Sequence, residues 1–279
     1  MFTIHGHRGC RGYLPENTIP AFFKAIDMGC HFLEMDVVVT KDKEILVSHE
    51  PWLNHEICLA PDGAMLSPEN EKNYNLYDMT YAQIKQIDCG SIGHPRFPLQ
   101  QPMHTYKPSL RDMIDAMEWY TQQHGLLPIS YNIEVKRHPE DDGIFHPNGR
   151  EFSSLIIDIL REKKVLERSQ FQSFDIECMH VARELAPELR LSFLVDNNKT
   201  AAENIHDLGF MPPVYGPYFQ QIDIEMMDYA QANQLKVIPW TANEKADIHR
   251  LIKMGVAGLI SDYPDRVVEV LKTLRNDVL

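Results

Sequence analysis

The sequence predicts an α/β fold: a closed barrel of eight parallel strands with helices outside and one small insertion after the second strand region. Three observations predict it. Short apolar, β-branched runs alternate with amphipathic helical stretches along the chain, which is the pattern of a parallel sheet. The length of 279 residues suits one barrel of roughly 250 residues plus an insertion. Polar residues able to do chemistry also fall repeatedly at the carboxyl ends of the expected strands, where barrels of this TIM type, (β/α)8, build their sites. The barrel is expected to take in residues 1–279, with residues 51–107 as an insertion within it.

Met1 to Gly6 reads as the first strand. Pro15 to Gly29 reads as a helix capped by Asn17 or Thr18, with Ile19, Phe22, Phe23 and Ile26 at helical spacing and Gly29 as its stop. Cys30 to Thr40 is the second strand, and Ile45 to His49 is an added strand returning to the same mouth. Pro51 to Lys107 is rich in Pro, Asn, Tyr and Gly, with one helical stretch near Thr80 to Ile87, and is too long for an ordinary strand-to-helix connection. Alternation resumes with a helix at Ser109 to His124, a strand at Leu127 to Val135 and a helix at Phe152 to Lys164. Strands are then expected at Gln170 to Phe174, Arg190 to Val195, Pro213 to Gly216, Lys236 to Trp240 and Ala257 to Ser261. Helices follow each of them, at Ile176 to Ala186, Ala201 to Leu208, Ile224 to Ala232, Glu244 to Met254 and Asp265 to Leu274.

Composition excludes some partners. With 27 Lys and Arg against 40 Asp and Glu, the net charge is −13, which disfavours nucleic acid and anionic membrane surfaces. An anionic substrate would therefore need a local basic site. No apolar run approaches a membrane span. The chain opens almost directly on its first strand with no signal peptide, which reads as cytoplasmic, or as periplasmic or secreted if this is a mature form. Five scattered cysteines without C-x-x-C spacing read as free thiols in a reducing compartment, with Cys58 and Cys89 as the pair that could bond if the protein were exported.

The residues that carry chemistry begin in the second strand. Glu34 and Asp36 are two apart, so they share one strand face, while Leu33, Met35 and Val37 take the other. Two carboxylates so placed repel each other unless a cation lies between them, and hard oxygen ligands suit Mg²⁺ or Ca²⁺ better than zinc. The alternative is a solvated polar face. Glu134 would supply a third carboxylate, and Lys136 a cation for phosphate charge or an internal partner of Glu134. His7 and Arg8 follow the first strand and His49 closes the added one, which places two titrating bases and a planar guanidinium near the same mouth. Glu16 and Asn17 read as loop-fixing and capping residues. His138 and His146 lie in a polar loop that reads as exposed rather than as a second metal site.

Several words recur in order: His7-Arg8-Gly9, Pro15-Glu16-Asn17-Thr18 with Ala21-Phe22, Glu34-Met35-Asp36-Val37, Thr40-Lys41-Asp42 and Val47-Ser48-His49-Glu50. Further on come Asn132-Ile133-Glu134-Val135-Lys136, Ser173-Phe174, Trp240-Thr241-Ala242-Asn243 and Gly258-Leu259-Ile260-Ser261-Asp262-Tyr263-Pro264. The ordered set resembles the glycerophosphodiester phosphodiesterase family, with Glu50 where relatives often carry Asp. The resemblance implies metal-dependent hydrolysis of small glycerophosphodiesters to glycerol 3-phosphate and an alcohol. It implies His7 and His49 as an acid and base pair, Glu34, Asp36 and Glu134 as ligands of Mg²⁺ or Ca²⁺, and Arg8, Lys136 and Trp240 as substrate contacts. Relatives often carry an insertion at this place over the barrel mouth; here it is expected to set substrate size, and the alternative is a packing loop with no contact with substrate. Two nucleophiles remain open, water and the neighbouring glycerol hydroxyl; the second would pass through a cyclic phosphate. A phospholipase D-like enzyme acting on lipid headgroups, a phosphodiesterase acting on another small diester and a non-catalytic diester-binding module are the alternatives.

Overall fold

The computed structural model describes residues 2–276. The parallel strands are β1 (Thr3–Gly6), β2 (Phe32–Val39), β4 (Ser130–Val135), β5 (Ser169–Ser173), β6 (Arg190–Val195), β7 (Val214–Pro217), β8 (Lys236–Val237) and β9 (Gly258–Ser261). They hydrogen-bond in the order β8-β7-β6-β5-β4-β2-β1-β9, and β3 (Ile45–Val47) pairs antiparallel with β2. Backbone bonds from Ala257 to Val237 (2.8 Å) and from Ile260 to Pro239 (3.0 Å) join the ends of this order into a nearly closed barrel. This is the eight-stranded α/β barrel that the alternation predicts. The last strand before closure is shorter than expected, because pairing beyond Val237 is reduced to isolated bonds around Trp240.

Nine helices are described: α1 (Ile19–Asp27), α2 (Tyr81–Ile84), α3 (Leu110–Gln123), α4 (Gly149–Glu162), α5 (Ile176–Leu185), α6 (Ala201–Leu208), α7 (Ile224–Ala232), α8 (Lys245–Met254) and α9 (Pro264–Asn276). Apart from α2, they pack their apolar stripes on the outer faces of the strands, where Leu33, Met35, Ile133, Phe171 and Phe193 are buried. Thr18 caps α1, accepting from the Ala21 amide. Asn17 does not cap; at φ +56° it turns its side chain back to Asp36 instead. Gly9 holds φ +86° in the turn after β1, where a Cβ would lie 2.7 Å from the Ala21 carbonyl carbon. Only glycine lets this turn press so closely on α1.

Register sets the site. β2 and β4 pair in parallel with Glu34 opposite Asn132 and Asp36 opposite Glu134, so both acidic strand ends face one lumen. That lumen is divided. One side carries the buried His5, Glu34, Asn132, Gln170 and Gln172, and the other an apolar group of Val214, Ile238 and Ile260.

The segment between β3 and α3 has a core of its own. Leu53, Ile57, Leu66, Leu76, Ile84 and Ile87 pack with Val38 and Leu46 of the barrel. The expected helix near Thr80 to Ile87 is one short turn, α2, opened by a capping box between Thr80 and Gln83. The free-thiol reading needs correction here. Cys58 and Cys89 form a disulfide, and both sulfurs lie in that small core. Scattered spacing conceals the pair because the fold, not the local sequence, brings them together. Cys10, Cys30 and Cys178 are free and buried. No described helix is long and apolar enough to cross a membrane.

The disulfide closes a sequence separation of 31 residues. Replacing both cysteines by alanine is expected to lower unfolding free energy by about 2–4 kcal/mol. Urea unfolding of the variant and of the oxidised parent measures the difference.

Candidate active site

The carboxylates come first, because burial makes them the costliest groups in the molecule. Glu34, Asp36 and Glu134 each offer an oxygen within 4.8 Å of the other two, and all three are buried. Burial pushes the Glu34 carboxyl well above its usual range, and the neighbouring Asp36 and Glu134 push it further. Asp36 goes the other way: burial would raise it, but Arg8, followed by His49 and Lys136, holds it well below. Its Oδ1 has no hydrogen-bond partner among the described residues. An orphaned buried carboxylate oxygen beside two crowded carboxylates fits a hard divalent cation. It is the one such cluster found among the described residues. His138 and His146 are not part of it; His146 is buried and bonds to backbone at Pro147 and His138.

Arg8 is built into this cluster. It sits at φ +51°, a left-handed conformation that costs of order 1–3 kcal/mol. The turn points its amide at Glu34 Oε2 (2.9 Å) while its guanidinium donates to Glu16 (2.7 Å). Its Nε lies 3.0 Å from Asp36 Oδ2, a charge contact whose angle misses hydrogen-bond geometry. Lys136 donates to Glu134 at 2.8 Å and lies 3.9 Å from Asp36, so the internal pair weighed from sequence is present. Gln172 donates to Glu34 Oε1 at 2.9 Å and itself accepts from Asn132 at 2.9 Å.

Two histidines flank the carboxylates, each gripped at Nδ1 by an acid. His7 Nδ1 lies 2.6 Å from Asp262, and His49 Nδ1 lies 2.7 Å from Glu50. Gripping one nitrogen fixes the ring and leaves Nε2 for chemistry. For His7 that atom lies 3.9 Å from Glu34. Burial lowers the His7 pKa to about 4, with Arg11 adding to the effect and Asp262 opposing it. In Asp262 burial would raise the carboxyl, but His7 and Arg11 hold it well below its usual range.

A cavity of about 240 Å³ joins these groups. His7, Arg8, Arg11, Glu34, His49, Glu134, Lys136 and Gln172 form its polar wall, and Phe174, Leu194, Trp240 and Ile260 its apolar wall. Trp240 is fixed by donation from Nε1 to the Gly216 carbonyl (2.9 Å) and by an edge contact with Phe174. Every site residue expected from sequence therefore reaches one cavity or the metal-fitting cluster beside it. Ser173, at the end of β5, lines neither; its hydroxyl is buried against the backbone of Val135 and Asp175.

The sequence model of the glycerophosphoryl diester phosphodiesterase family matches residues 7–266 of the chain. The chain belongs to that family. It is a glycerophosphodiester phosphodiesterase, a hydrolase of phosphoric diesters. Among relatives, the glycerophosphodiester phosphodiesterase of Caldanaerobacter subterraneus subsp. tengcongensis is 26% identical over 96% of this chain and 97% of its own. A crystal structure of a Silicibacter pomeroyi DSS-3 protein assigned to the same class is 28% identical, with a TM-score of 0.86 over 99% of this chain and 94% of that one. The structure of an Oleispira antarctica phosphodiesterase in complex with the product sn-glycerol-3-phosphate is 21% identical, with a TM-score of 0.75 over 97% of this chain and 96% of its own.

Sequence reasoning passed over Arg11, Gln172, Lys107 and the role of Asp262 in this phosphodiesterase. Asp262 stood at the end of an expected strand, the one signal available for it. Lys107 ends the insertion, is buried near Glu50 and Glu16, and is shifted downward by that burial. No local pattern marks it.

Asp262 makes a stability prediction with a definite sign. Its folded pKa is depressed, so its charge stabilises the fold above the unfolded value of about 3.9, and the contribution is lost as pH falls through and below that value. Asp262→Asn should cost about 3–5 kcal/mol at neutral pH, the loss expected on breaking a buried pair. Urea titrations at descending pH should show the gap between variant and parent narrowing below about pH 4.

Proposed function

We propose that this hydrolase cleaves small glycerophosphodiesters to glycerol 3-phosphate and an alcohol, with a divalent cation held by Glu34, Asp36 and Glu134 and with His7 and His49 moving the protons. The observation that carries the reading is the pair of histidines, each held at Nδ1 by its own carboxylate, on one cavity beside three crowded acids. The product bound to the Oleispira antarctica phosphodiesterase is consistent with glycerol 3-phosphate as the product here.

The donor set is all carboxylate oxygen, which favours Mg²⁺ or Ca²⁺. When bound, such an ion neutralises phosphoryl oxygens and orients the nucleophile. Arg8 and Lys136 add positive charge on the same wall, where the transition state gathers negative charge. His7 and His49 supply one proton acceptor and one donor, as an in-line displacement at phosphorus requires. Trp240, Phe174 and Leu194 offer an apolar wall to the carbon skeleton of glycerol or the headgroup.

Two measurements test this. Exhaustive chelation should abolish turnover, and Glu34→Gln should abolish it while leaving the thermal transition intact; full turnover in verified metal-free protein would falsify the metal assignment. His7→Ala and His49→Ala should each lose about 10²–10⁴-fold in kcat. One of the two should recover much of that loss on a substrate with a nitrophenol leaving group, because a good leaving group needs no proton. Near-parent rates in either variant with metal bound would refute the pair, and equal loss on both substrates in both variants would assign the histidines to binding.

A further inference from the structure

We infer that Arg11 is a positioning residue for His7, and that the Pro51 to Lys107 insertion holds Arg11 in place through Phe97 and Gln100. The inference rests on the reading of His7 as a proton-transfer group.

Asp262 is the hinge of the argument. One oxygen, Oδ1, takes both the His7 Nδ1 contact (2.6 Å) and the Arg11 Nε donation (2.5 Å), while Oδ2 accepts from Asn243 (2.6 Å). A carboxylate tied at both oxygens cannot swing about its own bond, so the imidazole it grips cannot swing either. Without Arg11, the oxygen that holds His7 would keep no other side-chain donor, and the carboxylate could turn about the Asn243 bond. Charge-assisted bonds of this kind are roughly twice as strong as neutral ones, which suits them to fixing an orientation.

Arg11 is itself fixed from outside the barrel. The Phe97 ring covers its guanidinium, 4.8 Å from centroid to the central carbon. Gln100 donates to the Arg11 carbonyl at 2.7 Å, and the Gln101 amide donates to the Tyr13 carbonyl at 2.9 Å. Phe97 and Arg11 are both nearly buried, so the contact is desolvated, where a cation on an aromatic face is strongest. The insertion thus reaches the loop that follows His7. The insertion then sets how rigidly one proton-transfer residue is held.

Two other roles for Arg11 make different predictions. As a phosphate ligand it would act on substrate affinity, but Nε already serves Asp262 and Nη1 lies 3.4 Å from Glu16. As a mere counter-charge it would act on stability alone. A double-mutant cycle separates the three, because coupling appears only between residues that act together. The full-length, metal-loaded enzyme is assayed as the parent, Arg11→Ala, His7→Ala and the double variant, with affinity for glycerol 3-phosphate measured alongside. Arg11→Ala is expected to lower kcat about 10–100-fold, part of what a positioned proton-transfer group contributes, with KM and product affinity nearly unchanged. In the His7→Ala background the same change should cost less than about threefold, within ordinary additivity error. Full multiplication of the two losses, or a loss seen in KM and product affinity, would overturn the inference. If Arg11→Ala does not fold, Phe97→Leu and Gln100→Ala run the same cycle. Each should show a smaller kcat loss that disappears with His7→Ala, and no loss or a multiplicative one overturns the inference equally. A parent-like His7→Ala would instead remove the function proposed for His7, an outcome distinct from either.

Discussion

Crowded negative charge is the constraint on which the rest of the site depends. Glu34, Asp36 and Glu134 are forced together by the β2–β4 register, and Glu16, Glu50 and Asp262 stand around them. Against these six carboxylates the site sets four basic side chains, Arg8, Arg11, Lys107 and Lys136, and burial works against the charge of Lys107. Acids outnumber bases in the site. The crowding acts on Glu34, whose carboxyl is driven upward by burial and by its acidic neighbours. An excess of acids beside an orphaned Asp36 oxygen is an arrangement that fits a divalent cation.

That constraint was largely legible in the sequence, and the reason is geometric. Alternation along a strand is a fixed period, so Glu34 and Asp36 had to share a face. Glu134, on the next parallel strand along the chain, joins them because that strand pairs with β2. The histidines were legible as residues but their carboxylates were not. Glu50 sits beside His49 in sequence and was noticed only as a departure from relatives. Asp262 lies 255 residues from His7, a contact that nothing local can signal. Gln172 and Arg11 were missed for a related reason: each acts by fixing another side chain, so its identity carries no chemistry of its own. The disulfide failed differently. A rule drawn from count and spacing argued for free thiols, while Cys58 and Cys89 meet inside a small core that the composition of the insertion did not suggest.

The lumen shows how one scaffold serves two demands. On the side of β2, β4 and β5, hydrogen bonds run from Gln170 to Asn132, from Asn132 to Gln172 and from Gln172 to Glu34. Each partner is an amide with both a donor and an acceptor, so the chain can satisfy itself while ending on a carboxylate. Opposite, Val214, Ile238 and Ile260 need no partners and leave Trp240 and Leu194 to face the cavity. Charge is thereby confined to one wall and carbon surface to the other. A phosphodiester with an organic substituent presents the same division.

Barrel closure links this division to the chemistry. Gly6 at the end of β1 pairs with Ser261 at the end of β9, and the next residues on each strand are His7 and Asp262. The His7–Asp262 contact therefore exists only when the first and last strands lie side by side. Arg11, in the loop after His7, bonds to the same Asp262 oxygen, and Asn243 from the loop after β8 takes the other. Three loops thus meet on one carboxylate at the seam where the barrel closes. An isolated βα unit could present the Glu34 and Asp36 pair, but not a histidine held by an acid from the far end of the chain. The acid cluster is a property of neighbouring strands; the oriented His7 is a property of the closed barrel, and it forms only when the whole fold does.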